Sequence, residues 1–336
     1  MRGPGSLMRA EIAEAPAVFA RTAVMALEPE ALTARKLRDA RAFYTIARGS
    51  SDAAANILAY EFMRETGKPM TSLPPSVFSV GRGVEMTGTM ALVVSQSGAS
   101  EDLVRSATGA RASGGMVIGI VNQPGSPVAA AAHLTIPIGA GVERAVPATK
   151  SVIGSIAAGM ALLGHLVPDY ATRAAASAVV LSALDAAIHP QTAALVPALL
   201  RAQHVYVIGR DTGYGAAQEL ALKLKETCAL HAEASSSSEV LHGPLQLATN
   251  PLLTLILDTG QPDVQASLDL AEARFRATGG SVHRMRPSDI GAPNLTAAAA
   301  AAVLLVLTYP LVLATALALD LDPDRPATLS KVTQTR

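Results

Sequence analysis

The sequence predicts an α/β protein of two tandem subdomains, each a parallel sheet flanked by helices in three αβα layers, the two related by internal duplication. Three observations carry that prediction. Residues 44–59 and 206–221 both read as strand, turn and helix, and at an offset of 162 they share Tyr, Ile, Arg, two Ala, Leu and a final Ala; the same offset lays Leu92-Val-Val-Ser-Gln-Ser-Gly98 on Thr254-Leu-Ile-Leu-Asp-Thr-Gly260. Each half then continues through a helical stretch and a Gly-Gly pair to another apolar strand, which is the βαβ alternation of covered parallel sheets. Half of the 336 residues are hydrophobic but only five Phe and six Tyr are aromatic, with no Trp, so the core must be close-packed Ala, Val, Leu and Ile.

The elements follow in order. Residues 1–7, ahead of Met8, read as a leader left by cloning without an apolar signal region, and are set outside the fold. The first subdomain is expected over 8–180, after an N-terminal helical segment: a strand at Tyr44 with its helix, a strand over 90–94, a helix from near Glu101, the pair Gly114-Gly115 and a strand over 116–121. Pro168, Pro190 and Pro197 bracket the Ala-rich helices that join the halves, which places the boundary between Asp169 and Leu200. The second subdomain, 181–336, repeats the scheme with strands over 204–208, near Thr254, and over 281–285 after Gly279-Gly280. The charge-free stretch 290–319 is long enough to span a bilayer, yet its left half is alanine, Pro310 interrupts it, and no basic cluster or aromatic belt flanks it, so it reads as a buried core helix and no membrane is expected.

Charge and cysteine usage narrow the function classes. Twenty-seven basic and 27 acidic residues give no global field for a polyanion, so nucleic acid is not expected as a partner. The single Cys228 excludes a disulfide framework and a cysteine-rich zinc site, fits a reducing compartment, and points to the cytoplasm. His, Asp and Glu spacing shows no metal signature. Gly209-Arg-Asp-Thr-Gly-Tyr-Gly215 lacks the G-x-G-x-x-G spacing, so no nicotinamide and no other cofactor is implied.

Two segments carry chemistry. Ser95-Gln-Ser-Gly-Ala-Ser100 joins a strand to a helix start, where hydroxyls, free N–H groups and the helix dipole favour an anion; the plainer reading has Ser100 as an N-cap with Asp102 in the first turn. The duplicate turn, Asp258-Thr-Gly-Gln-Pro262, lacks those serines, so the halves have diverged in role. In the second half Lys223 and Glu226 share a helix face at i and i+3, and the chain runs on through His231-Ala-Glu233, Ser235 to Ser238, and His242-Gly-Pro244. A carboxylate, an ammonium and two imidazoles are what acid–base catalysis needs; a solvated ion pair and a buried polar His231 are the plainer alternatives, and Cys228 reads as a small buried hydrophobe.

In this order the residues resemble a double sugar-isomerase (SIS) domain, like the isomerase half of glucosamine-6-phosphate synthase and the SIS-type glucosamine-6-phosphate deaminases. Met8-Arg-Ala-Glu-Ile-Ala-Glu-Ala-Pro16 resembles M-x-x-E-I-x-E-Q-P with Ala15 for Gln, Gly49-Ser-Ser51 stands at G-T-S, and Ser95-Gln-Ser-Gly98 at S-Q-S-G. Val146-Pro-Ala-Thr-Lys150 resembles V-A-S-T-K, Leu222-Lys-Leu-Lys-Glu226 L-K-L-K-E, and Arg325-Pro-Ala-Thr-Leu-Ser-Lys331 R/Q-P-R-N-L-A-K, with H-A-E and H-G-P at 231–233 and 242–244. The resemblance implies that Ser51, Ser95, Gln96, Ser97, Ser100 and Val146 bind the sugar phosphate. It implies Glu226 as the base between C2 and C1, Lys223 beside it, His242 for ring opening, and Lys331 closing over the sugar. Ala148 stands where the family has a sugar-contacting serine, and Ala99-Ser100 replaces its Glu-Thr pair.

The expected activity is amine release from glucosamine 6-phosphate, giving fructose 6-phosphate and ammonia. Synthesis from glutamine needs a glutaminase domain with an N-terminal cysteine nucleophile, and only about 40 residues stand before the first strand. The alternatives are a fructosamine-6-phosphate deglycase, another phosphosugar aldose–ketose isomerase, and a non-enzymatic sugar-phosphate sensor, which would not need Glu226 with His242. A homodimer with a shared site is expected, both from the resemblance and because the alanine-rich surfaces 151–166 and 295–319 exceed what one chain easily hides.

Overall fold

The computed structural model describes residues 3–331. Two helices, α1 (Ser6–Ala23) and α2 (Ala31–Asp39), precede the first sheet, whose strands are β1 (Ala42–Ile46), β2 (Met70–Ser72), β3 (Thr89–Ser95), β4 (Met116–Val121) and β5 (Leu134–Pro137). Between and after them run α3 (Gly49–Thr66), α4 (Ser76–Ser79), α5 (Glu101–Ala112), α6 (Pro127–Ala131) and α7 (Lys150–Leu166). The joining helices are α8 (Pro168–Ser182), α9 (Pro190–Ala193) and α10 (Val196–Arg201). The second sheet has β6 (His204–Gly209), β7 (His231–Ser236), β8 (Leu253–Leu257) and β9 (Ser281–Met285), with α11 (Thr212–Cys228), α12 (Gln265–Ala277) and the C-terminal α13 (Ala297–Ala318).

Both sheets are parallel throughout, in the orders β2-β1-β3-β4-β5 and β7-β6-β8-β9, so the second repeats the first without its last strand. The predicted duplication and the α/β class are therefore observed. The predicted strands 116–121 and 281–285 and the helix start at Glu101 match residue for residue. β2, β5 and β7 are additional; β2 and β5 are short edge strands, and β7 carries serines that favour turns on propensity but are held in register by β6.

Alternation along the strands sorts the two faces. Leu92, Val94, Ile118 and Ile120 pack with Ile57 and Leu58 of α3 in the main core, whereas Ala91, Val93 and Val117 pack with Leu103 and Ala107 of α5 on the other face. The connections after β1 and β3 thus diverge to opposite faces, which makes their C-terminal ends a topological switch point, the usual place for a ligand crevice. The main core is continuous across the duplication, because α3 packs on α11 and α13 packs on α11, α1 and α7.

Three expectations are corrected here. The leader is not wholly outside the fold: Ser6 and Leu7 begin α1, and the Leu7 and Met8 N–H groups donate to the Asp324 carboxylate at 3.0 and 2.8 Å, a long-range cap for otherwise unpaired helix donors. Pro310 does not interrupt α13 but lies within it, its local cost overridden by packing on all sides. The charge-free surfaces are not left for a second chain, since α7 and α13 are buried within this one. Among the described residues α13 alone is long and apolar enough to cross a membrane, and 94% of its most apolar window is covered by the protein.

Candidate functional site

At the switch point Ser95 ends β3 and its hydroxyl accepts the Gly98 N–H at 3.0 Å, closing a turn in which Gly98 has φ +62. A side chain there would meet the Ser126 Oγ at 2.1 Å, so glycine is required by conformation and by space. The Ser97 hydroxyl accepts the Ala99 N–H at 3.3 Å, and Ser100 holds the N-cap position of α5. Its side chain caps nothing, contrary to the plainer sequence reading, so among the described residues the hydroxyl and the Glu101 and Asp102 N–H groups of α5 remain available. Gln96, Ser97 and Ser100 are half-buried at the surface of this turn. Ser51 lies in the first turn of α3, on the neighbouring connection. Two helix N-termini therefore meet beside one hydroxyl-lined turn, an arrangement that favours an anion.

The second group comes from the far end of α11, which is brought beside the start of α3 because α11 packs along α3. The fully buried Lys223 ammonium donates to Ser50 Oγ at 2.9 Å and to the Glu226 carboxylate, and lies 3.6 Å from Glu219 Oε1. The Glu226 side chain keeps 23% exposure, whereas Glu219 keeps none. Tyr309 of α13 donates its hydroxyl to Glu219 at 3.1 Å, and the other Glu219 oxygen is buried without a hydrogen bond among the described residues. Burial therefore pushes the Glu219 carboxyl up to about 7, with Lys223 opposing and Glu226 adding to the shift. Burial works against the Lys223 ammonium too, but Glu219 and Glu226 outweigh it and hold its pKa above the ordinary lysine value.

A third group borders the second. Glu143, fully buried, accepts the N–H groups of Thr149 and Ser151, the Ser151 hydroxyl at 2.7 Å and the Lys331 ammonium at 3.0 Å; Lys331 also donates to the Ala145 carbonyl at 2.6 Å. Glu11 of α1 accepts the Arg144 and Ala145 N–H groups, and the Val146 N–H donates to the Asp324 carbonyl at 2.9 Å. Val146 and Lys331 are thus brought together, and the field of Glu143 reaches Lys223 and Tyr309.

His242 ends a short 3-10 turn, is exposed, and makes no hydrogen bond among the described residues. His231 departs from the sequence reading. Strand alternation turns it and Glu233 to the face of Tyr206, away from α11, and its Nδ1 lies 3.0 Å from that of His204. Cys228 is buried and its thiol is pushed by burial up to about 11, which leaves it inert. In the second half the turn after β8 is occupied by its own charges, with Asp258 accepting from Arg284, Arg286, Gln265 and Gly260. Ser50, Glu219, Tyr309 and Glu143 were not singled out from sequence. Of these only Glu219, at i−4 from Lys223 and i−7 from Glu226 on one helix face, left a readable signal.

The SIS domain model matches residues 36–164 and 198–282. The chain belongs to the SIS domain family. It is 30% identical over 291 residues to a glutamine–fructose-6-phosphate aminotransferase (isomerizing) of Zymomonas mobilis, over 82% of this chain and 48% of that protein, so it spans about half the length of the curated relatives it matches. A solved structure from Silicibacter pomeroyi, provisionally assigned as a phosphosugar isomerase, is 31% identical with a TM-score of 0.79, covering 95% of this chain and 99% of that one. The glucosamine-6-phosphate deaminase of Thermotoga maritima shares the fold, with a TM-score of 0.74 at 19% identity over 98% of this chain and 99% of the other.

Proposed function

We propose that the protein is a phosphosugar isomerase that acts on a hexosamine 6-phosphate, glucosamine 6-phosphate first, and releases ammonia. The observation that carries the reading is the 2.9 Å hydrogen bond from Lys223 to Ser50, which fastens the Glu219–Lys223–Glu226 cluster of the second half to the helix start beside the serine turn of the first. A phosphate seated at that turn supplies orientation from a distance, and the partly exposed Glu226 is then the carboxylate within reach of the sugar carbons. After ring opening, assigned to His242, Glu226 takes the proton from C2 and returns it at C1, while the amine gives up a proton and O1 gains one, turning the 2-amino aldehyde into a 2-imine with a C1 hydroxyl; water adds to the imine carbon, and ammonia leaves as the C2 carbonyl forms. Lys223 orients the Glu226 carboxylate through their ion pair. No metal is needed for this proton shuttle. Amino sugars are favoured by the names of the relatives. Release is the direction proposed because, beyond this proton shuttle, it needs only water.

The test pairs an ammonia-release assay over a panel of hexosamine 6-phosphates with Glu226→Gln. Turnover should fall by about 10²- to 10⁴-fold while sugar-phosphate affinity is nearly kept. Exchange of the C2 hydrogen with deuterated water at the wild-type rate in that variant would refute the assignment.

A further inference from the structure

Arg48 lies outside the acid–base cluster of α11. It ends the connection from β1 and sits at the N-cap position of α3, next to the serine turn after β3, because β1 and β3 are neighbours in the sheet. Its Nε donates to Asp102 Oδ2 at 2.7 Å, and Asp102 belongs to the first turn of α5, the helix that follows the serine turn. That carboxylate is 3% exposed, and its other oxygen accepts the Leu103 N–H at 2.9 Å. The Arg48 side chain is 53% exposed, and neither of its Nη groups makes a hydrogen bond among the described residues. One edge of the guanidinium is thus fixed by a buried partner while the fork at its end is left over, between two helix starts.

We propose that Arg48 is a direct ligand of the substrate's phosphate, oriented for that task by Asp102; the inference rests on the assignment of the serine turn as the phosphate seat. Three physical points support it. A planar guanidinium offers paired donors that match two phosphate oxygens, and holding one edge in advance lowers the entropy lost on binding. Asp102 would otherwise set an uncompensated negative charge in the first turn of α5, beside an arriving dianion, and Arg48 neutralises it. The duplicate half supplies the contrast: Arg210 stands at the matching position, but its Nη1 is held by Ser236 and Ser238, and Asp258 stands where the first half has Gln96. The arginine is present twice, yet only in the first half does it meet a turn without a competing carboxylate.

A plainer role, in which Arg48 merely ties α5 to the β1 connection, predicts a different pattern and can be separated. Glucosamine 6-phosphate and inorganic phosphate are titrated by calorimetry into the wild type, Arg48→Met, Asp102→Asn and Ser97→Ala. A direct ligand requires Arg48→Met to weaken both probes by about 10- to 100-fold, the loss of a charge-assisted hydrogen bond, while Asp102→Asn, whose amide oxygen can still accept from Nε and hold the fork, weakens them several-fold less or not at all because it also removes a nearby anion. Equal weakening by Arg48→Met and Asp102→Asn would overturn the proposal in favour of the tie. Wild-type affinity in Arg48→Met with weakening in Ser97→Ala would overturn it and leave the phosphate seat standing. No binding of either probe to the wild type would overturn both. Should the methionine variant not fold, Arg48→Lys, which keeps the charge without the fork, enters the same comparison with Asp102→Asn.

Discussion

Replacing Lys223 by Met removes the buried ammonium while keeping most of its length, and the structure fixes how the cost must depend on pH. In the wild type Glu219 titrates at about 7 against an ordinary 4.5, so its contribution to stability is fully present below 4.5, falls across that window, and is exhausted once pH passes about 7. Above that pH the wild-type carboxyl is ionised whether the chain is folded or not, and it adds no further slope. In Lys223→Met the group that lowers it is gone while burial and Glu226 continue to raise it, so the folded variant keeps Glu219 protonated beyond 7 whereas the unfolded chain does not. The folded state then holds one extra proton, and stability falls by about 1.4 kcal/mol per pH unit. Between pH 7 and 9 the gap to wild type should widen by up to about 3 kcal/mol. Lys223 itself adds nothing there, because its folded pKa lies above the ordinary lysine value. Urea unfolding at pH 7, 8 and 9 measures the gap, and the double variant with Glu219→Gln should abolish its slope. Parallel stability curves for wild type and Lys223→Met would show that Glu219 is not charge-coupled to this lysine, and the reasoning would fail.

Other expectations address the remaining groups. Ser97→Ala should weaken sugar-phosphate binding by about 1 to 3 kcal/mol in calorimetry, through a lost hydrogen bond to a charged group, and unchanged affinity would remove the serine turn as the phosphate seat. If two chains share a site, with exposed His242 acting across the interface and Glu226 within its own chain, the inactive Glu226→Gln and His242→Ala proteins should regain about a quarter of wild-type activity once subunits exchange. Verified exchange without recovery would place His242 in its own chain's site or outside catalysis. Glu143→Gln should loosen the Lys331 ammonium, which keeps only its bond to the Ala145 carbonyl, costing about 1 kcal/mol of local stability and speeding tryptic cleavage after Lys331 about fivefold, read by mass spectrometry; unchanged cleavage would mean that Glu143 does not hold this segment.

Much of the fold and part of the candidate site were legible in the sequence, for local reasons. Strand and helix starts such as Met116 and Glu101 are set by runs of apolar residues and by turn chemistry in the immediate chain, and the offset of 162 reveals the duplication without any contact being known. The serine turn and the Lys223–Glu226 face were readable because each lies within a few consecutive residues. His231 marks the limit of such local patterns: it stands close to Glu226 in sequence, but strand alternation sends it to the opposite face. The covering of the alanine-rich helices was not legible, because hydropathy alone does not tell whether a helix is covered by its own chain or by another.

Composition and periodicity by themselves therefore determined the class, the duplication and the residue types at the serine turn and on the α11 face. Only the tertiary structure decided which of them meet. Ser50 lies 173 residues from Lys223, Lys331 lies 188 from Glu143, and Tyr309 lies 90 from Glu219. Such pairs are formed by the packing of α3, α11 and α13 into one core, where burial sets the charge state of Glu219, and no local pattern in the chain encodes that burial.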